Sequence, residues 1–464
     1  MAPRKIVISV SDGMVERNLF KTDFWTYLLQ QTDLEVVLIS SDREYFAYLS
    51  DRYASPIVKV LYEPYSIGRM DAALTYILNN SIHSHTVWEE QYSYWKGING
   101  RQKRPMWVYG FFRICWYFGR YFWWRSFLRF LYKLLSSSGY AESTLIKIRP
   151  DLVFVPSINP ADYKLLRQAK KQEIPCVQMI KSWDNLTSKT FLGVHPDYLI
   201  VHNEIMKSEA MRFDDMPGNR IFVSGIPQFD HLSVYQDSLL IPREKFYGKM
   251  GIDHTKRVLL FSASGDRISP HDRDYLSMLN EAISDGRLPD DLHICVRLHP
   301  KYESSFDGID ELSHVTIGRP FSYLTDGYRN WVFEKDDIAY WYNSIFHSCM
   351  VINVASTMAI DASVIDRPVI SLGFDGYNQL PLSRSILRYY SRDHYRPVLE
   401  TGAVSVVRSE KELIDEVNRY LNDTTYRRDG RVMLVSQQCY KADGNSSKRL
   451  VDFLVDFLRK KDGK

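Results

Sequence analysis

Two series of short apolar runs, each alternating with longer helical patterns, constrain this chain more than any other feature. A run that is apolar throughout belongs to a strand buried on both faces, and that burial needs a parallel sheet with helices over it. The first series is expected to place strands at 5–11, 34–40, 57–62, 151–156, 175–180, 198–201 and 220–224, with helical stretches such as 18–31 and 161–172 between them. The order then restarts at 257–262, 292–296, 315–317, 350–353, 368–371 and 404–407. At 464 residues the chain exceeds one ordinary domain, so two wound halves are the natural reading. The expected fold is α/β: two Rossmann-like domains in series, a cleft between them, and helices at the C-terminal end. The boundaries read as a first domain over 1–230, a polar linker over 231–256, a second domain over 257–425 and C-terminal helices over 426–464, with helical periodicity at 410–421 and 448–459.

Composition narrows the function. A net charge of +3 with 25% charged residues is near balance and argues for neither nucleic acid nor a strongly acidic partner, and no nucleic acid is expected. Five cysteines without CxxC spacing fit reduced core thiols. The opening MAPRKIVISV runs straight into a strand pattern, so no signal peptide is expected. No stretch of about eighteen uncharged apolar residues predicts a membrane-spanning helix. No GxGxxG follows the first strand, which argues against a dinucleotide cofactor, and no GxxxxGKS/T occurs, which argues against a P-loop NTPase; no cofactor is expected.

The chemistry-bearing residues follow strands of the second half. Asn353 to Ile370 (NVASTMAIDASVIDRPVI) reads as strand, turn, helix and next strand. Ser356 and Thr357 fall where the strand gives way to the helix, so their hydroxyls and the first unsatisfied backbone N–H groups would cradle a phosphate. Asp361, one turn further on the same face, would accept from ribose or sugar hydroxyls. Arg297-Leu-His299-Pro300 ends an apolar strand, which aims a guanidinium and an imidazole at the edge where such sheets bind ligands. Arg297 suits bidentate phosphate contact, and His299 would donate to a leaving diphosphate. After the strand at 257–262, Ser262-Ala-Ser264-Gly265-Asp266 offers a small-residue turn where a ligand could approach the backbone at Gly265. Asp272-Arg-Asp274 has the DxD form of a metal site, but it follows Pro270 as a helix start would, and no metal is expected. His83-x-His85 lacks a third ligand.

In that order, REKFYGKMGIDHTKRVLLFSAS (243–264), RLHP and ASTMAIDASVIDRPVI resemble the C-terminal domain of GT-B glycosyltransferases. Within that group they resemble the CDP-glycerol glycerophosphotransferase branch and related surface-polysaccharide transferases. The stretch Val223-Ser-Gly225-Ile-Pro227-Gln-Phe-Asp230 is similar to the segment that ends the N-terminal domain of such enzymes. The resemblance covers roughly 220–375. It implies an inverting, metal-independent transfer, with donor phosphates held by the second domain through Arg297, His299, Ser356, Thr357 and Asp361.

The first half must then supply the acceptor site and a general base. Ser11-Asp12-Gly13 follows the first strand, with Glu16 shortly beyond, and Lys181-Ser-Trp183-Asp184-Asn185 follows the strand at 175–180. Asp12 or Asp184 would remove the proton from an acceptor hydroxyl, Asp12 being placed slightly ahead. Trp183 would stack on a sugar ring, with Asn185 beside it.

One segment stands apart. Residues 91–141 contain no acid and nine bases, and 106–135 (MWVYGFFRICWYFGRYFWWRSFLRFLYKLL) is almost wholly aromatic or aliphatic between its charges. Interleaved rings and cations suit a helix lying at an anionic membrane surface. Arg113 and Arg120 fall on one side of a continuous helix and Arg125 and Arg129 nearly opposite, so a break near Gly119 is expected. The membrane-facing set would be Arg113, Trp116, Arg120, Trp123, Trp124, Arg125 and Arg129.

The reading is a cytoplasmic transferase, peripheral on the inner face of the membrane. It would move a glycosyl group from a nucleotide-sugar donor, or else a polyol phosphate from a CDP-glycerol-like donor, to a lipid-linked or surface-polysaccharide acceptor. Two rivals stand beside it. A UDP-sugar 2-epimerase-like enzyme would carry a His-Arg-Arg-Glu-Asn element that is missing here, and a non-catalytic membrane scaffold would have no use for RLHP together with Thr357 and Asp361.

Overall fold

The computed structural model describes residues 3–98, 102–137, 139–233, 239–299, 302–318, 322–323, 331–332 and 334–459. The chain forms two compact units, one of Met1–Gln91, Pro105–Asp230 and Cys439–Lys464, the other of Tyr92–Arg104 and His231–Gln438.

The first unit holds strands β1 (Arg4–Ser9), β2 (Leu34–Ser40), β3 (Val58–Tyr62), β4 (Leu152–Val155), β5 (Cys176–Met179), β6 (Tyr198–Val201) and β7 (Ile221–Val223). They pair in parallel in the order β3-β2-β1-β4-β5-β6-β7. Ile6, Val7 and Ile8 of β1 are fully buried between β2 and β4, which is why the run is apolar throughout. The winding reverses between β1 and β4, and loops leaving such a switch point diverge to open a crevice at the strands' carboxyl ends.

The second unit repeats the plan with β8 (Arg257–Ser262), β9 (Leu292–Arg297) and β10 (Val315–Ile317), a short ribbon of β11 (Ser322–Tyr323) and β12 (Trp331–Val332), then β13 (Met350–Asn353), β14 (Val369–Leu372) and β15 (Val404–Val407). Its parallel sheet runs β10-β9-β8-β13-β14-β15, with the reversal between β8 and β13. Leu259, Phe261, Ile294 and Ile352 pack under Tyr275, Leu276 and Leu279 of the helix Asp272–Ser284. Each such side chain contributes about 1.5–3 kcal/mol by leaving water.

All thirteen apolar runs expected to be strands are strands, displaced by at most a residue or two. Three other expectations need correction. The helix expected at 18–31 is a π-helical turn, Glu16–Phe20, followed by a new α-helix, Asp23–Leu29, capped by Thr22. The cause is Glu16, whose buried carboxylate accepts hydrogen bonds from the hydroxyls of Tyr45, Tyr48 and Tyr53 and pairs with Lys21. Residues 231–256 are no bare connector, because they carry the helix Arg243–Gly248, which buries Phe246 and Tyr247. The C-terminal helices expected as one set over 426–464 divide: Arg428–Gln438 stays with the second unit and Ser446–Arg459 with the first. Asp230 holds that last helix by accepting from the backbone N–H groups of Ser446 (3.0 Å) and Ser447 (2.7 Å). Phe453 stacks on Phe222 at 4.2 Å, and Gly225, at φ +83°, leaves the space that Ser446 fills.

Candidate active site

In the second unit the sequence-predicted donor residues gather at the carboxyl edge of the sheet. Arg297 closes β9, pairs with Ser262 of β8, and reaches across to place its guanidinium 3.6 Å from the sulfur of Met358. Met358 is the first residue of the helix Met358–Val364, immediately after Ser356 and Thr357. Arg297 and Thr357 therefore share one edge. Arg297 is only 9% exposed. Burial pushes its pKa down, and the charge of Asp361 pulls it back, so the site holds a preorganised cation beside a buried carboxylate.

The turn between β13 and the Met358 helix is tight. Ala355 takes φ +34°, an uncommon backbone for a residue with a Cβ and of the kind found at binding sites. The Ser356 hydroxyl accepts from the Met358 N–H at 3.2 Å, and Thr357 is exposed. The helix has seven residues, so the dipole at its start is small. Asp361 is 7% exposed and electrostatically coupled to Arg297, which corrects its expected role as an open acceptor for sugar hydroxyls.

His299 is placed by Tyr302. Its Nδ1 accepts from the Tyr302 N–H at 3.0 Å and the two rings stack at 4.6 Å, so the neutral imidazole carries its proton on Nε2, the tautomer a donor needs. Arg267 lies over the same Tyr302 ring at 5.4 Å. Sequence reasoning missed this cation, although it stands only two residues beyond Gly265. Gly265 needs a different explanation from the expected one. Its N–H and that of Ser264 donate to the carboxylate of Asp272 at 3.2 and 2.7 Å, and its φ of +76° leaves room only for Tyr302. Gly265 thus shapes the turn that seats Tyr302 rather than offering its amide to a ligand. Asp272 is buried, with a pKa pushed up to about 7, and works as a loop anchor. Among the described residues no group of three His, Cys, Asp or Glu is arranged to hold a metal ion.

In the first unit, Asp12 stands at the switch point between β1 and β4, but its carboxylate is fully engaged. One oxygen accepts from the N–H groups of Met14 and Val15, the other from Lys181 at 2.6 Å and Asn159 at 3.3 Å. Burial alone would raise its pKa; Lys181 and the hydrogen bonds outweigh burial and leave it lowered, which makes Asp12 a poor proton acceptor. Asp184 accepts from Ser182, Asn185 and, at 2.6 Å, from Lys189, whose side chain is 54% exposed and so easily displaced. The other two acceptor-side residues are more enclosed. Asn185 is 1% exposed and so does not present itself to a sugar, while Trp183 is partly buried against the Leu199–Met206 cluster.

The aromatic segment forms two helices, Met106–Phe118 and Phe122–Leu135, broken at Gly119 as its charge pattern requires. The roles of its rings and cations are partly exchanged. Arg125 and Arg129 were expected to face lipid; instead both turn inward onto Asp215, at 2.5 and 2.8 Å, with further bonds to carbonyl groups. Arg113 lies over Trp88 at 4.5 Å, and Trp116 and Trp124 are partly buried against the Leu128 cluster. His83 bonds the carbonyl of Trp116. The surface is left to Trp107, Phe111 and Ile114 on one helix and Trp123, Phe127, Phe130 and Leu134 on the other, with Arg120 and Lys133 beside them. Among the described residues no helix is long and apolar enough to cross a membrane.

Comparison with known proteins adds to this geometry. The family model described as CDP-glycerol:poly(glycerophosphate) glycerophosphotransferase matches residues 182–456, more than half of the chain. No curated protein sequence matches. Among solved structures the chain is similar to UDP-GlcNAc 2-epimerase from Neisseria meningitidis bound to UDP-GlcNAc, with a TM-score of 0.58, 12% identity, and coverage of 97% of this chain and 100% of that one. It is also similar to UDP-GlcNAc 2-epimerase from Methanocaldococcus jannaschii (0.51, 16%, 97% and 99%) and to a glycosyltransferase from Rickettsia africae (0.51, 12%, 98% and 99%). At these identities the likeness is one of fold, the two-sheet α/β fold of the GT-B type.

Proposed function

Because the chain belongs to the CDP-glycerol:poly(glycerophosphate) glycerophosphotransferase family, a family of nucleotide-activated transferases, we propose that it moves a polyol phosphate from a CDP-linked donor to a lipid-linked or polysaccharide acceptor. The sequence expectation put glycosyl transfer first; family membership puts polyol-phosphate transfer ahead of it. The observation that carries the reading is the buried Arg297 meeting the turn of Ser356 and Thr357, within the matched residues.

In this reaction the acceptor oxygen bonds to the donor's distal phosphorus, and the bond from that phosphorus to the bridging oxygen breaks, releasing CMP. Arg297 stabilises charge on the transferring phosphate, and His299 donates from Nε2 to the departing one. Asp184 takes the acceptor's proton. It is preferred to Asp12 because Lys181 does not hold it and because the family match includes it. The question of inversion at a sugar carbon does not arise in this chemistry. Arg297 meets the phosphate charge without a bound cation in this account. Exposed rings with Arg120 and Lys133 support a peripheral position at an anionic membrane surface.

The test is release of CMP from CDP-glycerol in the presence of an acceptor and excess chelator, with UDP-GlcNAc as the control donor. Turnover of CDP-glycerol alone is expected. Exclusive use of UDP-GlcNAc would return the reading to glycosyl transfer, and loss with chelator restored by Mg²⁺ would overturn metal independence.

A further inference from the structure

In the first unit a cavity of about 420 Å³ opens beside the helix Phe122–Leu135. Phe122, Ser126 and Arg129 of that helix line it, together with His195, Asp215 and Arg220. The three helical residues are spaced by four and three, so they make one row, which continues to exposed Lys133. The neighbouring row is Trp123, Phe127, Phe130 and Leu134, from 44% to 63% exposed, and Phe122 at the cavity mouth is 65% exposed. The mouth therefore opens beside an apolar stripe.

The walls are cationic on balance. Asp215 is the one acid among the lining residues, and Arg125 and Arg129 both pair with it. Arg220, which is exposed, adds a further positive charge. Burial, reinforced by Arg129, pushes His195 down to about 4, so at neutral pH its ring is an uncharged hydrogen-bonding group. A volume of this size suits a small polar group rather than a macromolecule. A cationic recess beside a stripe of exposed rings matches an amphiphile with an acidic head.

We propose that this cavity receives the phosphate of an acidic membrane phospholipid while the Trp123–Leu134 stripe lies in the bilayer surface. The proposal rests on reading the two aromatic helices as a membrane-facing surface, and it adds a specific lipid site to what would otherwise be general adhesion. A lipid rather than a soluble phosphate is indicated because Phe122 belongs both to the cavity wall and to the exposed face that a bilayer would cover.

The test measures binding of the full chain to vesicles of phosphatidylcholine alone and of phosphatidylcholine with phosphatidylglycerol. Ser126→Trp fills the cavity without changing charge, Arg220→Glu reverses its exposed cation, and Lys147→Glu reverses an exposed cation elsewhere on the unit. Melting curves establish that each variant is folded. Arg220→Glu is expected to weaken binding to phosphatidylglycerol vesicles by at least about fivefold, the worth of one cation near an anionic surface, Ser126→Trp to weaken it by excluding the headgroup from the cavity, and Lys147→Glu to change it less. Binding to phosphatidylcholine alone should be the same in all four proteins. Unchanged binding of Ser126→Trp to phosphatidylglycerol would overturn the cavity site and leave adhesion by rings and charges. Displacement of the protein by low concentrations of soluble glycerol phosphate would reassign the cavity to a soluble solute. If the unaltered protein binds neither vesicle, the membrane-facing reading fails first and the proposal with it.

Discussion

Arg297→Met keeps most of the side-chain volume and removes the charge, and its consequence separates two roles for the same residue. Arg297 is 9% exposed and Asp361 is 7% exposed, and the charge of Asp361 acts on Arg297. Removing one member of a buried pair leaves the other charge uncompensated, which costs about 3–5 kcal/mol. For a unit of this size each kcal/mol lowers Tm by about 2–4 °C, so a fall on the order of 10 °C is expected. Adding Asp361→Asn removes the stranded carboxylate and should restore most of that loss. Activity should behave differently. If Arg297 meets charge on the transferring phosphate, its loss removes about 3–4 kcal/mol from the transition state, roughly 100- to 1,000-fold in kcat/KM. The double variant should stay equally slow, because neutralising Asp361 restores no cation. Calorimetry and CMP release, run on both variants, read the two effects separately. A double variant that recovers activity along with stability would show Arg297 to be only a counter-ion for Asp361, and the donor-site argument would fall.

Two further outcomes follow from the same unit. Gly265→Ala should lower Tm and abolish stabilisation by CDP-glycerol, since the residue sits at φ +76° and an added Cβ would overlap Tyr302, the partner of His299; a variant with normal melting and normal donor response would refute that close packing. Burial pushes Asp272 up to about 7, so the native state favours its protonated form. The stability this contributes is full below the unfolded value near 4 and is lost as pH rises through about 7. Asp272→Asn should flatten that slope in the second unit, as followed by denaturant unfolding between those limits, and an unchanged slope would contradict it.

The sheets were legible because β8, β9 and β13 are buried on both faces and therefore read as unbroken apolar runs. The placement of Arg297, His299 and Thr357 after strands of the second sheet was legible for a related reason: the carboxyl end of a parallel strand is where a wound fold can present a side chain. What escaped the sequence is long-range pairing. Nothing near Asp230 announces that it caps a helix 216 residues later, and nothing near Arg125 announces Asp215, 90 residues away. Periodicity alone assigned Arg125 and Arg129 to the lipid side, and a buried ion pair reversed the faces. Asp12 looked available as a base because Lys181, 169 residues on, is silent in the local pattern. Glu16 was read only as a second carboxylate beyond Asp12, and the three tyrosines that fix it in a π turn lie 29 to 37 residues away.

The central claim is that the second unit holds the donor's phosphates through Arg297. Its most direct test is a structure of the protein soaked with CDP-glycerol. The account predicts diphosphate oxygens within about 2.7–3.1 Å of the Arg297 guanidinium, with His299 Nε2 facing the departing phosphate and Ser356 and Thr357 beside the transferring one. A diphosphate bound elsewhere, away from the Arg297 guanidinium, would contradict it.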